Sequence, residues 1–289
     1  MKKKSILNFK LKVFNLKFAI LLNLAAVTEL HSQTYSFPWL NDAVDRPAIQ
    51  ELKPPVDYER VTTSPNTFAD WLRNLPLKIE NNIVYLFDGS RKLNQSAHYR
   101  VLAVDAGKQD LQQCADAVMR LRAEYLFSQH KWEEIGFNFT SGPRLAYKGW
   151  RKGFRPRVRG KQVTWHPAAK PDSSYENFRD YLKTVFTYAG SASLHQEMKP
   201  VGQIEKIQIG DVFIKSGFPG HAVIVVDLAV DPNSGRKAIL LAQSYMPAQE
   251  IHLLKNSRDE EMNPWYIVNA EDKLYTPEWT FEWAELRRF

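Results

Sequence analysis

The chain has 289 residues, of which 44% are hydrophobic and 25% charged, and its formal net charge is +7. This length fits one large or two small domains, and the composition excludes a disordered, collagen-like or coiled-coil protein. A positive charge suggests nucleic acid or another anionic partner, but the position of the charge in the chain decides how it is interpreted.

Residues 1–33 have the pattern of a secretory signal peptide. Six lysines precede the uncharged run 18–28, and a small polar stretch follows it. About eleven apolar residues are too few to span a bilayer, which needs about 20. The pattern therefore predicts a cleaved leader and an exported protein, periplasmic or extracellular, without a transmembrane anchor.

Removal of this leader changes the charge balance. Six Lys and one Glu leave with it, so that 33 basic and 31 acidic residues remain. Nine of the basic residues and no acidic ones lie within 135–171, and the rest of the mature chain carries −7. For an exported protein we do not expect nucleic acid as a partner. We expect a cell-envelope polymer or peptide instead.

The remaining chain divides into an N-terminal arm and small subdomain over 34–100 and a core domain over 101–289, with the basic insertion at 135–171. Apolar spacing of three and four predicts helices, and short apolar runs between turns predict strands. The predicted helices are 67–75, 110–129 and 175–188, and the predicted strands are 83–87, 99–104, 211–215, 221–228 and 237–245. The last three strands form an antiparallel meander, so the pattern predicts an α+β fold with a helix packed on an antiparallel sheet.

Cys114 is the only cysteine, so it cannot form an internal disulfide and is either an inert core residue or a reactive thiol. A capping box of Asp110 and Gln113 would place it in the first turn of its helix, where unpaired N–H groups favour a thiolate. It also lies on the apolar stripe of that helix with Leu111 and Val118, as a buried structural cysteine would.

His221 begins an apolar strand directly after a glycine-rich turn. A hairpin centred near Asn233 would place Tyr245 opposite His221 and Gln243 opposite Val223, so that His221 and Gln243 share one face of the sheet. A thiol, a base and an orienting amide are the groups that a cysteine hydrolase needs. A slip of one residue would turn Gln243 to the other face, and His221 would then be a structural strand-end histidine.

Two resemblances follow from these residues. The order of a helix-borne Cys114, the strand Gly210-Asp211-Val212-Phe213 and the pair Gly220-His221 resembles the NlpC/P60 peptidoglycan endopeptidases of the papain-like superfamily, although Gln113-Cys114-Ala115-Asp116 stands where they have Asp-Cys-Ser-Gly. This resemblance implies a papain-like fold, with Cys114 as nucleophile, His221 as base and Gln243 as the residue that orients it. The segments 111–125, 220–227 and 242–249 resemble an exported bacterial family known as domain of unknown function 4846, which implies no activity.

The segment 148–161 interleaves seven cations with Trp150 and Phe154, and Trp165 follows. Cations with aromatic faces suit an anionic polymer, so Trp150, Arg151, Phe154 and Trp165 are predicted to bind substrate. The alternative is a solvated loop that the acidic remainder neutralises. Histidine spacing and the absence of nucleotide or metalloprotease motifs predict no metal and no cofactor.

Two hypotheses remain open. The first is an exported thiol hydrolase or transferase that acts on cell-envelope peptide or amide bonds through Cys114, His221 and Gln243, with the sulfur within about 4 Å of a His221 ring nitrogen. The second is a non-catalytic protein that binds an envelope glycan or another anionic polymer through residues 148–165. The oligomeric state is not predicted.

Overall fold

A nine-stranded antiparallel sheet organises the computed structural model, which describes residues 35–40, 44–270 and 273–289. The predicted signal peptide, 1–33, lies outside the described residues. The strands are β1 (Glu59–Arg60), β2 (His98–Val101), β3 (Gly136–Asn138), β4 (Arg144–Ala146), β5 (Phe154–Arg159), β6 (Gln162–Pro167), β7 (Lys199–Pro200), β8 (Val212–Lys215), β9 (His221–Val230), β10 (Lys237–Gln243), β11 (His252–Leu254), β12 (Tyr266–Ile267), β13 (Leu274–Tyr275), β14 (Thr280–Phe281) and β15 (Leu286–Arg288). The helices of these described ranges are α1 (Phe68–Arg73), α2 (Cys114–Ser128), α3 (Tyr147–Arg151), α4 (Tyr175–Tyr188) and α5 (Ser191–Glu197).

The sheet runs in the order β2-β11-β10-β9-β8-β15-β7, with β1 paired to β9 and β12 to β10. Three further hairpins, β3–β4, β5–β6 and β13–β14, stand apart from it. The strands β8, β9 and β10 are the predicted meander, and their pairing is antiparallel. The predicted α+β class with an antiparallel sheet is therefore confirmed.

The middle strand, β9, is covered on both faces. Ala222 and Ile224 point into the apolar cluster that contains the helices, and Val223 and Val225 point into a second cluster formed with the C-terminal segment. This double cover is the reason why the strand is apolar at successive positions. None of the helices in the described ranges has the length and apolarity needed to cross a bilayer.

Helix α2 begins at Cys114 and not at the predicted Asp110. The carboxylate of Asp110 instead accepts hydrogen bonds from the N–H of Ala248 at 2.7 Å and from the side chain of Gln113 at 3.0 Å. Gln113 is the N-cap, and its own N–H donates to Asp116 at 3.2 Å. Because the chain before the cap is held by tertiary contacts, Cys114 is the first residue of the helix.

Residues 35–100 are part of the same compact unit as the rest of the described chain. In place of a separate subdomain sheet, they contribute β1 and β2 to the main sheet, and Trp71 of α1 is completely buried. Residues 83–87 make isolated bridges at Tyr85 and Leu86 where a strand was predicted. The basic insertion is built from β3, β4, α3, β5 and β6, and is thus largely hairpins.

Candidate active site

The end of β8, the start of β9 and the end of β10 lie side by side at the same end of these three strands, because consecutive antiparallel strands reverse direction. His221 is the first residue of β9 and Gln243 is the last of β10. Gly220 makes the tight entry into β9 possible. A side chain there would place its Cβ 2.7 Å from the carbonyl oxygen of Gly217 and 2.8 Å from that of Lys215.

A β-bulge sets the register between β9 and β10. Leu240 pairs with Asp227, but Leu241 pairs with Val225, so Val226 is an extra residue on β9. A bulge of this kind shifts the pairing of everything that follows it by one residue.

The bulge decides which face Gln243 occupies. The register after the bulge, continued by one residue, places Gln243 opposite Val223 and on the His221 face, as predicted. Without the extra residue Gln243 would pair with Ile224 and point to the other face of the sheet.

Buried charges hold the bulge in place. Asp227 is completely buried, and its carboxylate accepts hydrogen bonds from Arg60 at 2.6 Å, from Arg73 at 2.8 Å and from the N–H of Leu228 at 2.8 Å. These partners come from β1 and α1 as well as from β9 itself. The N-terminal elements therefore stabilise the strand geometry on which the Gln243 position depends.

The predicted contact between His221 and Gln243 is present. Nε2 of His221 lies 2.8 Å from Oε1 of Gln243, and both side chains are buried. The imidazole is enclosed by the rings of Tyr245 at 4.8 Å, Trp279 at 5.2 Å and Phe281 at 5.8 Å. This burial lowers the pKa of His221 to about 4, and the hydrogen bond to Gln243 opposes the shift. The ring is therefore neutral at neutral pH.

The orientation of the Gln243 amide determines the tautomer of His221. Nε2 of Gln243 donates to the carboxylate of Glu278 at 2.8 Å, and Lys92 binds the same carboxylate at 2.6 Å. A carboxylate only accepts hydrogen bonds, so the amide nitrogen faces Glu278 and the amide oxygen faces His221. His221 consequently carries its proton on Nε2. Its Nδ1, which has no hydrogen-bond partner in the described chain, keeps the lone pair that a general base needs.

Cys114 influences the pKa of Tyr245, a neighbour of His221. The pKa of Tyr245 is raised by burial and, to a smaller extent, by Glu278 and by Cys114. The N–H of Ala222, the residue after His221, interacts favourably with the Cys114 thiolate. The thiol is therefore near the start of β9, on the Ala222 face that the helices cover, whereas the His221 ring packs on Phe281 at the opposite face. Within the described residues no hydrogen bond joins the sulfur of Cys114 to the His221 ring.

The predicted thiolate at the helix start is not formed. Burial raises the pKa of Cys114 to about 11, and the carboxyl group of Asp116 acts in the same direction. The N–H groups of Ala115, Ala222 and Cys114 oppose this shift without overcoming it. Helix position favours a thiolate only where the thiol is solvated, and this one is 7% exposed. The resting site contains a neutral thiol and a neutral imidazole.

Lys92 and Glu278 are members of the site that sequence reasoning did not find. Glu278 follows Gln243 by 35 residues and Lys92 precedes Glu278 by 186. Neither belongs to a periodic pattern or a spaced motif, and only the packing of the C-terminal segment across the sheet brings them together. No sequence signal in a single chain could have identified them.

The predicted substrate-binding residues divide into two kinds. Trp150 is nearly buried, with its indole N–H donating to Oδ1 of Asn177 at 2.8 Å and the guanidinium of Arg155 lying 3.7 Å from the ring centre. Arg151 stacks on Trp132 at 3.8 Å. These contacts give Trp150 and Arg151 structural partners of their own, whereas Phe154 and Trp165 are 39% and 40% exposed.

A cavity of about 290 Å³ lies between the β5–β6 hairpin and the elements before it. Phe154 and Trp165 line it together with Trp150 and Arg144, and none of Cys114, His221 and Gln243 does. The other face of the hairpin carries arginines, because Arg157 pairs with Thr164 next to the Pro156–Trp165 pair.

The fold is α+β, with a buried, hydrogen-bonded pair of His221 and Gln243 where β9 begins and β10 ends. No group of three or more potential metal ligands occurs among the described residues. The family model for "Domain of unknown function (4846)" matches residues 49–288, and the chain belongs to this family. The matched range contains Cys114, His221, Gln243 and the β5–β6 hairpin. No curated protein and no solved structure matches the chain.

Proposed function

We propose that the protein is an exported, NlpC/P60-like thiol hydrolase or transferase, which cleaves peptide or amide bonds of the cell envelope. The observation that supports this most directly is the buried hydrogen bond of 2.8 Å between His221 and Gln243. Export rests on the leader pattern of residues 1–33, and the envelope substrate rests on the resemblance in the order of the elements.

In this mechanism the sulfur of Cys114 attacks the carbonyl carbon of the substrate while its proton passes to Nδ1 of His221. Because both groups are neutral at rest, proton transfer accompanies the attack and no preformed ion pair is required. Gln243 accepts the Nε2–H and stabilises the imidazolium that forms. The N–H of Cys114, unused by the helix because it belongs to the first residue, is placed to stabilise the oxyanion.

Collapse of the tetrahedral intermediate breaks the carbon–nitrogen bond, and the leaving amine takes the proton back from His221. The acyl group remains on Cys114 as a thioester. Water then attacks the thioester in hydrolysis, or a second amine attacks it in transfer, and His221 again moves the proton. The thiol is regenerated at the end of either route.

The test is incubation of the mature protein with purified peptidoglycan and with amide-linked peptides, with new amino groups and fragments detected by mass spectrometry. We expect cleavage or transfer by the native protein and none by Cys114→Ala or by His221→Ala. Trp165→Ala, a change in the exposed cavity, serves as the folded control and should still process small peptides. Equal product from Cys114→Ala would exclude the proposal.

A second function, binding of an anionic envelope polymer, is favoured by the β5–β6 hairpin. Arg157 and Arg159 are exposed and have no hydrogen-bond or ion-pair partner within the described chain. The exposed rings of Phe154 and Trp165 line a cavity whose size is at the lower limit for small-ligand sites, enough for about one sugar ring. A sugar would stack on the two rings, and the arginines on the opposite face of the hairpin would attract the anionic polymer at longer range.

A further inference from the structure

Three large apolar side chains project into solvent from segments that also contribute residues to the site around His221 and Gln243. They are Leu93, Phe218 and Met246, with exposed fractions of 102%, 98% and 54%. Full exposure of side chains of this size is costly in water, and it marks a surface that contacts a partner or a ligand when several such side chains lie together.

Each of these side chains follows or precedes, in the chain, a residue of the site or of its surroundings. Phe218 lies in the turn between β8 and β9, three residues before His221. Met246 follows Tyr245, whose ring is 4.8 Å from that of His221. Leu93 follows Lys92, whose ammonium binds Glu278 and lies 6.0 Å from the Tyr245 ring centre.

The segments that carry Phe218 and Met246 lie at the same end of the strands β8, β9 and β10. The turn that carries Phe218 joins the end of β8 to the start of β9, and Met246 lies just beyond the end of β10. Lys92, from the N-terminal part of the chain, is near this end of the strands because it pairs with Glu278, which also binds Gln243. The exposed side chains therefore belong to segments that meet at the end of the strands where His221 and Gln243 lie.

The charges of the cluster are consistent with an uncharged ligand. Lys92 and Glu278 neutralise each other at 2.6 Å. Cys114 and His221 are both uncharged at neutral pH, because burial disfavours the charged form of each and so raises the pKa of the thiol and lowers that of the imidazole. An ionised group placed next to the reacting carbonyl would find no counter-charge among these residues.

We infer that the site accepts substrates whose acyl group, next to the reacting carbonyl, is uncharged and apolar, and that Leu93, Phe218 and Met246 form its specificity surface. This inference rests on the proposed function, since it takes Cys114 as the nucleophile. It assigns the charged hairpin β5–β6 no part in selecting the acyl group.

Because Cys114 is the only cysteine, its alkylation reports on this surface without knowledge of the natural substrate. Rates are measured on the full mature protein at pH 9 with anionic iodoacetate, neutral iodoacetamide and apolar N-hexyl iodoacetamide, each divided by its rate with the protein unfolded in urea. We expect the hexyl reagent to exceed iodoacetate by about tenfold, as burial of roughly two methylene groups would produce.

The triple variant Leu93→Ser, Phe218→Ser, Met246→Ser should lose most of that preference, and it should still fold because all three side chains are exposed. Val56→Ser is the matched control, since Val56 is 85% exposed elsewhere, and it should keep the preference. Equal normalised rates for all reagents, or a preference that survives the triple variant, would overturn the inference and leave the proposed function standing. A thiol that reacts with none of the reagents until it is unfolded would overturn both.

Discussion

The amide nitrogen of Gln243 donates a hydrogen bond of 2.8 Å to the carboxylate of Glu278, a residue of the C-terminal segment. This contact fixes the direction of the amide and, through it, the position of the proton on His221. The base of the proposed mechanism is therefore prepared by a carboxylate that never touches the imidazole. Glu278 is a positioning residue in this arrangement.

Glu278→Gln should release the constraint on the Gln243 amide, because a neutral amide can accept as well as donate. In the native protein we expect nitrogen NMR to show His221 protonated on Nε2 and unprotonated on Nδ1, and in the variant a mixture of tautomers. Glu282→Gln is the control, since Glu282 is exposed and pairs with Lys273. A native ring protonated on Nδ1 would contradict the assignment.

Acid should destabilise the protein partly through His221. Its pKa is about 4 when folded and 6.5 when exposed, so the unfolded chain binds more protons between these values and stability falls as pH drops from 6.5 to 4. The free energy of unfolding that this difference in the pKa of His221 contributes at neutral pH is about 3 kcal/mol. Urea unfolding at pH 7.5 and pH 4 should show that His221→Asn loses less stability than the native protein. Identical losses in the native protein and in this variant would refute this.

The thiol should titrate far above neutrality. Since burial raises the pKa of Cys114 to about 11, alkylation by iodoacetamide should accelerate about tenfold per pH unit from pH 7 to pH 10. Asp116→Asn removes the second cause of the shift and should raise the rate at pH 8. The alkylation rates of the native protein and of the variant are measured by quenching the reaction at timed intervals and determining the modified fraction by mass spectrometry. A rate that levels off below pH 8 would mean a preformed ion pair with His221.

Asp227→Asn should destabilise the fold strongly. The change leaves the guanidinium groups of Arg60 and Arg73 without their shared carboxylate, and loss of one partner of a buried ion pair costs about 3–5 kcal/mol. The free energy of unfolding in urea measures this. Asp180→Asn, at an exposed pair with Lys183, should change it by less than about 1 kcal/mol. Similar values for the two variants would show that the bulge does not depend on Asp227.

Trp165→Ala should weaken binding to an anionic polysaccharide if the β5–β6 hairpin is a binding surface. We expect affinity for polygalacturonate, measured by titration calorimetry, to fall by about tenfold in Trp165→Ala, which removes one stacking ring. Arg157→Ala should mainly reduce the dependence on salt. Neutral dextran is the control ligand and should not bind. Binding unaffected by Trp165→Ala would indicate charge attraction alone.

Local sequence determined a large part of this protein. The alternation and apolar runs of residues 211–245 specify the meander, and the spacing of 114–128 specifies a helix whose thiol lies near its start. These features depend on neighbours in the chain, so a single sequence contains them. The relation between His221 and Gln243 is predicted from an estimated hairpin centre, but the observed register reaches it only through the bulge after Leu240.

Tertiary structure decided what those residues can do. Helix α2 begins at Cys114 and not at Asp110, because the carboxylate of Asp110 binds the N–H of Ala248. The face of the sheet on which Gln243 lies depends on a β-bulge next to Asp227, which distant arginines bind. The protonation states of the thiol and imidazole follow from burial, and Glu278 joins the site through the packing of the C-terminal segment. Spacing along the chain contains neither solvation nor contacts between distant segments, and the chemistry of this site depends on both.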